Sequence, residues 1–445
     1  DEALRIRPGL HDAAVRRADL LSRNNRIEQA IGELRWHVAS HPDGVQAHAA
    51  LARLLMRSGR HDEAVAVWTA AEARWPDDAD LKAQHALALD SAGRVDEALA
   101  LAELASASSR SALAMLRARG ALLAGDPAAA VQRLQRVDER HFEGKPPLLA
   151  RRHQRLLGMA FDALEQWPDA AEAFMRAQRV TRGRLPDLPT LDEATSAELH
   201  RLADPSDFAD APDAAPVFLC GLPGSGVGQV AALLADQPGW FVRRERFETA
   251  PDFVNAPFDP RLGQPLGQAD LALLARRYRR PLERAGATDL GRVVDWIPVL
   301  DARVAPVIKR VLPGARLVIV QREPHDMLLD WLGFGWTEGF SMPDALTGAR
   351  WLRLAATHIV QAAAILPSFR VDPDALLAAG DSAMRMRLGV FLGVADLQPG
   401  PMARGARKGR GGLPVGFPPG HSSHYREVFS EAFATLDDPQ TFAAP

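Results

Sequence analysis

A repeat with a period of 34 residues limits the fold of the N-terminal part more than any other feature of this chain. The segment at 58–68, SGRHDEAVAVW, returns 34 residues later at 92–102 as AGRVDEALALA. It also occurs 34 residues earlier, at 24–34, as NNRIEQAIGEL. A self-similar unit of this length is typical of stacked helix pairs, because one pair buries its apolar face only against the next.

Small residues keep their register through these copies, with alanine at 30, 64 and 98. They allow two antiparallel helices to approach closely, and larger side chains such as Trp68 fill the groove against the next pair. Two more segments, 122–134 and 157–177, look like drifted copies of the same unit.

The unit resembles the tetratricopeptide repeat. In the last copy, the family's packing positions hold Leu157, Gly158, Phe161, Ala170, Phe174 and Ala177. The resemblance implies a solenoid of about five helix pairs over residues 1–180, whose concave face receives a peptide or protein partner. His37 and His41 lie one helical turn apart, but without a third ligand nearby we expect ordinary histidines and no metal site.

A chain of 445 residues is too long for one ordinary core, so more than one domain is expected. The stretch 181–215 is rich in Pro, Asp and Ala, which predicts a linker that contains one short helix, at about 191–202. The second domain is then 216–445.

Strand and helix patterns alternate from residue 216 onward. Short apolar runs predict buried strands at 217–220, 292–298 and 315–324, and helical patterns follow the first two of them at 227–237 and 301–314. This alternation favours a three-layer α/β domain with a mainly parallel sheet. Ligands in such domains bind at the carboxyl ends of the strands.

Composition limits the class of partner and the compartment. The net charge of -3 provides no overall attraction for nucleic acid or an anionic membrane, and no window approaches the ~20 apolar residues of a membrane span. The single cysteine, Cys220, excludes an internal disulfide framework. With no signal segment visible, we expect a cytoplasmic protein. The chain begins with Asp1 rather than Met, so a preceding segment is an open alternative.

The glycine-rich loop at 221–230, GLPGSGVGQV, follows the first strand of the second domain. A Walker A loop needs Lys and then Ser or Thr after its last glycine, but Val227 and Gly228 stand there. The dinucleotide fingerprint needs a third glycine where this chain has Gln229. Neither common phosphate loop fits.

From residue 216 to about 435 the chain resembles the sulfotransferases that use 3′-phosphoadenosine 5′-phosphosulfate (PAPS). It is most similar to the bacterial class fused to tetratricopeptide repeats. That family has the loop P-R-S-G-T-T around the phosphosulfate, and the corresponding residues here are Pro223, Gly224, Ser225, Gly226, Val227 and Gly228. The resemblance therefore implies a P-loop-like fold with PAPS as co-substrate and no metal.

The catalytic residues are implied by two further segments. QPGWFVRRE places Glu245 where the tyrosyl-protein branch has its catalytic base, with a surface carboxylate as the alternative. DWIP matches the family's D-K-x-P strand and makes Asp295 the second candidate, with a strand-end cap as the alternative.

Two segments match the part of the family's site that holds the 3′-phosphate. The motif R-R-x-P-x-D-x-x-x-S corresponds to QREPHDMLLD, in which Arg322 is retained and Asp330 replaces the serine. GARKGRGGLP is similar to the family's R-K-G-x-x-G loop and assigns cofactor binding to Arg407, Lys408 and Gly409, unless 405–420 is only a flexible basic loop.

Several replacements remove donors from this site. Gly224 lacks the arginine of the loop, Val227 and Gly228 lack its hydroxyls, Trp296 lacks a lysine, and Asp330 adds a carboxylate. The backbone N–H groups of the loop still form an anion nest at a helix N-terminus.

Three functions follow as hypotheses. The first is transfer of a sulfuryl group from PAPS to a hydroxyl of a protein, peptide or carbohydrate acceptor recruited by the repeats. The second is a catalytically degenerate sulfotransferase-like scaffold that binds proteins through the repeat groove. The third is an anion-dependent activity with a different nucleotide. Glu245, Arg322 and the segment Arg407-Lys408-Gly409 favour the first, whereas Gly224, Trp296 and Asp330 favour the other two. From the resemblance we expect the first function, with the scaffold as the alternative.

Overall fold

A computed structural model describes residues 6–7, 9–24, 26–105, 110–142, 147–180, 184–203, 215–243, 268–336, 340–378, 383–394, 397–406, 408–409 and 412–437. The chain divides into two compact units. Asp1–Gln166 and Lys408–Leu413 make up the first unit, and Trp167–Arg407 and Pro414–Pro445 make up the second. The domain limits 1–180, 181–215 and 216–445 remain predictions.

The first unit consists of antiparallel helix pairs. Its α-helices are α1 (His11–Arg23), α2 (Ile27–Ser40), α3 (Val45–Arg57), α4 (His61–Arg74), α5 (Ala79–Ser91), α6 (Val95–Leu104), α7 (Arg110–Leu123), α8 (Pro127–Gln135) and α9 (Pro147–Ala163). A 3₁₀ helix, Glu139–Phe142, precedes α9.

The repeated small residues are buried where the helices pack together, as their spacing predicts. Ala30, Ala64 and Ala98 have no exposed surface and lie in one apolar cluster with Trp68, which is 3% exposed. A side chain larger than alanine at these positions would separate the two helices of a pair, since the interior is close-packed.

Glycines end the first helix of successive pairs. Gly59, Gly93 and Gly125 follow α3, α5 and α7 with φ of +72°, +80° and +75°. Glycine adopts this left-handed conformation without the steric cost that a Cβ adds, which is why it recurs where one helix turns into the next.

The second unit contains a five-stranded sheet. Its strands are β1 (Val217–Gly221), β2 (Phe241–Arg243), β3 (Val293–Ile297), β4 (Arg316–Val320) and β5 (Ser368–Val371). Its α-helices are α10 (Trp167–Arg179), α11 (Glu193–Leu202), α12 (Val227–Ala235), α13 (Gln268–Arg284), α14 (Ala305–Val311), α15 (Pro324–Phe334), α16 (Ala345–Ile365), α17 (Pro373–Leu376), α18 (Ala383–Leu392), α19 (Pro401–Gly405) and α20 (Ser430–Leu436).

The described part of the second unit also contains three short 3₁₀ helices, at Leu290–Arg292, Ala302–Val304 and His421–Tyr425. The helix predicted at 301–314 is thus shorter than expected. Asp301 accepts a hydrogen bond from the Arg303 N–H, so the segment begins as a 3₁₀ turn and α14 starts only at Ala305.

The strands are arranged in the order β2-β3-β1-β4-β5, and every described pair is parallel. The chain leaves β1 toward one edge of the sheet and leaves β4 toward the other. In open α/β sheets a crevice forms at the carboxyl ends of strands where this reversal occurs. That position lies between the ends of β1 and β4.

Apolar side chains cover both faces of the sheet. On one face Val217, Leu219, Val294, Val318 and Val371 share a cluster with apolar residues of α12, α17 and α18. On the other face, the ring of Phe218 lies 6.0 Å from that of Tyr278 in α13. Helices on both faces explain why β1 and β4 read as continuous apolar runs rather than alternating ones.

Candidate functional site

The glycine loop joins β1 to α12 at the carboxyl end of the central strand. The Ser225 N–H donates to the Leu222 carbonyl at 3.0 Å, which closes a tight turn. Gly226 precedes α12 with φ of +76°, and none of the described side chains caps the first turn of this helix. The backbone thus has the shape of an anion-binding loop at a helix N-terminus.

Gly224 packs its backbone against the first turn of α15. Its φ is +75°, and a Cβ built on it would lie 2.0 Å from the Met327 carbonyl oxygen. Because that atom belongs to the backbone of a helix, no side chain is accommodated. The arginine found at this place in the PAPS-dependent family would not fit here.

Ser225 is completely buried under the turn. Within the described part of the chain its Oγ has no hydrogen-bond partner. Gly221 lies close by, since a Cβ there would come within 2.5 Å of the Ser225 Oγ. The serine is therefore held inside the loop by close packing.

Arg322 follows β4 and lies beside the glycine loop. Its Nε donates to Asp374 Oδ2 at 2.8 Å, its Nη1 pairs with Asp330, and its Nη2 donates to the Phe417 carbonyl at 3.1 Å. Its Nη1 also lies 3.5 Å from the Gly224 carbonyl oxygen. The side chain is 6% exposed. All three guanidinium nitrogens are thus engaged within the protein.

Asp330 is buried on α15 opposite Arg322, and its Oδ1 accepts the Phe417 N–H at 2.7 Å. Burial raises the pKa of Asp330 to about 7, against the effects of the Arg322 charge and the Phe417 N–H, which lower it. A carboxyl group therefore occupies the place where the resemblance implies a serine facing a phosphate.

Asp326, one turn before Asp330, holds the same segment. Its two oxygens accept the N–H groups of Gly420 at 2.6 Å and Ser422 at 3.0 Å. Together the two aspartates attach residues 417–422 to α15. Asp326 stands at the aspartate of the family motif R-R-x-P-x-D-x-x-x-S, and the motif did not indicate this role.

Asp374 was missed from the sequence, although a signal was present. It belongs to the sequence VDPDAL directly after β5, and the carboxyl end of β5 lies at the same sheet edge as that of β4. An acidic residue at that edge was a candidate partner for Arg322.

Asp295 has no exposed surface and accepts a hydrogen bond from the Tyr278 hydroxyl at 2.9 Å. It lies within β3 rather than at its end, paired in register with Phe218 of β1. Its catalytic role stays a prediction.

The remaining predicted site residues are distributed as follows. Glu245 and Arg407 lie outside the described residues. Lys408 and Gly409 belong to the first unit, where Lys408 is exposed and the Gly409 N–H donates to the Leu413 carbonyl at 2.9 Å. Leu413 packs against the apolar cluster formed by α7, α8 and α9.

The histidines of the first unit include a third ring that sequence reasoning did not place. His11 Nδ1 lies 3.0 Å from His37 Nε2, and the rings of His37 and His41 stack with centroids 5.1 Å apart. Burial lowers the pKa of His37, and the neighbouring histidines lower it further. In the described ranges no group of three or more His, Cys, Asp or Glu side chains is arranged to hold a metal ion.

Comparison with known families finds the tetratricopeptide repeat at residues 15–79 and 49–112. The prediction of helical repeats in the N-terminal part is confirmed, and repeats of this kind generally mediate protein–protein interaction. A search of curated proteins gives no significant match. Among the described residues, no helix has the length and apolar character needed to cross a membrane.

Proposed function

We propose that this chain is a protein-interaction protein, in which the tetratricopeptide repeats hold a partner and the α/β unit is a scaffold that does not transfer a sulfuryl group. The observation that carries the proposal is the pairing of Arg322 within the protein. Its guanidinium is already paired with two carboxylates, those of Asp330 and Asp374.

An incoming phosphate would have to displace these partners. Hydrogen bonds to charged groups contribute about 1.5–3 kcal/mol each, so two of them amount to about 3–6 kcal/mol. Micromolar affinity corresponds to about 8 kcal/mol in total. Exchanging the internal pairs for a phosphate would therefore remove much of the free energy that nucleotide binding needs.

The glycine loop supports the same proposal. With no room for a side chain at Gly224, the loop offers only backbone donors to an anion. Val227 is buried and apolar at the first position of α12, where the PAPS-dependent family has a hydroxyl.

Sulfuryl transfer from PAPS is the second candidate, and the buried Ser225 is the observation that favours it. A hydroxyl without a hydrogen-bond partner in the described residues, at the start of α12, is a donor that a bound phosphosulfate would satisfy. In this case Glu245 would accept the proton of the acceptor hydroxyl, and Arg322 would have to exchange its carboxylate partners for the 3′-phosphate.

Calorimetric titration of the full chain with 3′-phosphoadenosine 5′-phosphate separates the two candidates. The scaffold proposal expects no heat of binding at millimolar nucleotide. Micromolar binding that disappears in Arg322→Ala or Lys408→Ala would overturn it in favour of the transferase. A matched titration with ATP tests the hypothesis of a different nucleotide.

The interaction half of the proposal is tested by affinity capture. Proteins retained by the full chain are identified and then bound to it again in purified form. Disruption of the repeat core by Trp68→Ala, which leaves the α/β unit unaltered in sequence, is expected to abolish this direct binding. Partners that bind equally well to Trp68→Ala would contradict a role for the repeats.

A further inference from the structure

A network of charges links the first helices of three successive repeat pairs. Asp90 at the end of α5 is paired with Arg119 of α7 through one oxygen and with Arg152 of α9 through the other, the latter at 2.8 Å. The side chains of Asp90 and Arg119 are 4% and 5% exposed, whereas that of Arg152 is 38% exposed. The network thus extends from the interior of the first unit to its surface.

Arg155 adds a charge that this network does not neutralise. It lies one helical turn after Arg152 on α9 and is half-buried. In the described part of the unit no carboxylate pairs with it, and its buried Nε has no hydrogen-bond partner. Burial, with the like charges of Arg152 and Arg151, lowers the pKa of Arg155 to about 10.

The described residues of this cluster carry more positive than negative charge, so another anion would be attracted to it. Arg119 and Arg152 use both oxygens of the Asp90 carboxylate, and within the described residues Arg155 has no carboxylate partner. Buried or half-buried charges are normally paired, because an unpaired one keeps the cost of lost hydration without a compensating attraction. An oxyanion between Arg152 and Arg155 would supply the missing partner.

We propose that Arg152 and Arg155, supported by Arg119, form a docking site for a carboxylate of an acidic peptide segment in the partner protein. This inference rests on the proposed interaction function and specifies the chemistry of the partner. The planar guanidinium fork matches a carboxylate, and the site extends over neighbouring helices of a repeat array whose curved surface suits an extended peptide.

The test uses the full chain and a fluorescently labelled peptide of six glutamates. Fluorescence anisotropy should show binding that weakens as salt is raised, because exposed charges are screened. A six-glutamine peptide should not bind. A phosphoserine peptide and free inorganic phosphate, used as competitors, establish whether the oxyanion can also come from a phosphate group.

The deciding variant is Arg155→Met, which keeps much of the side-chain volume and removes the charge. Loss of one charge-assisted hydrogen bond predicts about tenfold to a hundredfold weaker binding of the glutamate peptide. The melting temperature should stay the same or rise, because the charge removed has no carboxylate partner among the described residues. Arg136→Met, at an exposed arginine that ends α8, is the matched control and should bind like the parent.

Three results would overturn the proposal. They are equal binding of the glutamate and glutamine peptides, undiminished binding by Arg155→Met, and loss of folding in Arg155→Met, which would make the arginine a structural residue. Arg155→Lys should retain part of the binding, since it keeps the charge without the fork. Failure of the docking site alone leaves the nucleotide titration unchanged, so it can be told apart from failure of the proposed function.

Discussion

Replacement of Asp330 by asparagine tests whether a buried carboxyl, rather than a bound phosphate, completes the site around Arg322. Asparagine imitates the protonated acid, since it keeps an oxygen for the Phe417 N–H but carries no charge. Burial raises the pKa of Asp330 from 3.8 to about 7 in the folded protein. The folded state therefore holds the proton more tightly than the unfolded state does.

The sign of the pH dependence follows from this difference. The stability that Asp330 contributes through its raised pKa is fully present below pH 3.8, decreases as the pH rises to about 7, and is constant above it. A difference of about three pKa units corresponds to about 4 kcal/mol. Relative to the parent protein, Asp330→Asn should gain up to that amount of stability between pH 4 and pH 7.

Urea unfolding at several pH values, followed by tryptophan fluorescence, measures the difference. The rings of Trp331, Trp336 and Trp351 lie within about 6 Å of one another in the second unit and report its unfolding. Groups that titrate in both proteins, such as His325, contribute equally to both free energies of unfolding, so their contributions cancel in the difference. A variant that loses stability relative to the parent as the pH rises would refute the reasoning. The attraction between ionised Asp330 and Arg322 would then outweigh the cost of burying the charge of Asp330.

Three further outcomes are expected. Gly224→Arg should lower the free energy of unfolding by about 2 kcal/mol or more, since the new Cβ meets the Met327 carbonyl and φ is positive. Calorimetry should show no nucleotide binding gained, and restored binding would contradict this account of the loop. Trp68→Ala should cost about 3–5 kcal/mol, measured by thermal unfolding followed by circular dichroism, because the ring is 3% exposed. The hydrogen bond that the His325 ring donates to the Glu323 carboxylate raises the pKa of His325. The stability this histidine contributes is therefore present below pH 6.5 and lost as the pH rises through its folded pKa. His325→Gln should destabilise the protein at pH 5.5 but little at pH 9 in urea unfolding, and an equal loss at both would contradict the assignment.

Much of the fold was predictable because its signals are local. Ala30, Ala64 and Ala98 recur at a fixed spacing, and that spacing alone indicates helix pairs that stack on one another. The apolar runs of β1 and β4 likewise indicate buried parallel strands. The assignment of Arg322 to the same site as the glycine loop, in contrast, was implied by the resemblance to the PAPS-dependent family.

The candidate site depends on contacts that no local pattern encodes. Arg322 meets Asp374 and Phe417 across separations of 52 and 95 residues, and both contacts exist only once β5 and the C-terminal segment pack around β4. The pairing decides whether the retained arginine is available to an anion. Family position alone left this question open.

The arginine cluster of the first unit likewise depends partly on the sequence repeat and partly on the packing of the helices. The sequence determined that α5, α7 and α9 begin successive helix pairs, through the period of the repeat. Only the packing of these helices brought Arg119 and Arg152 to the two oxygens of Asp90 and left Arg155 beside them without a described partner. Periodicity specifies which residues share a helix face, whereas the balance of charge on that face is set by distances between helices.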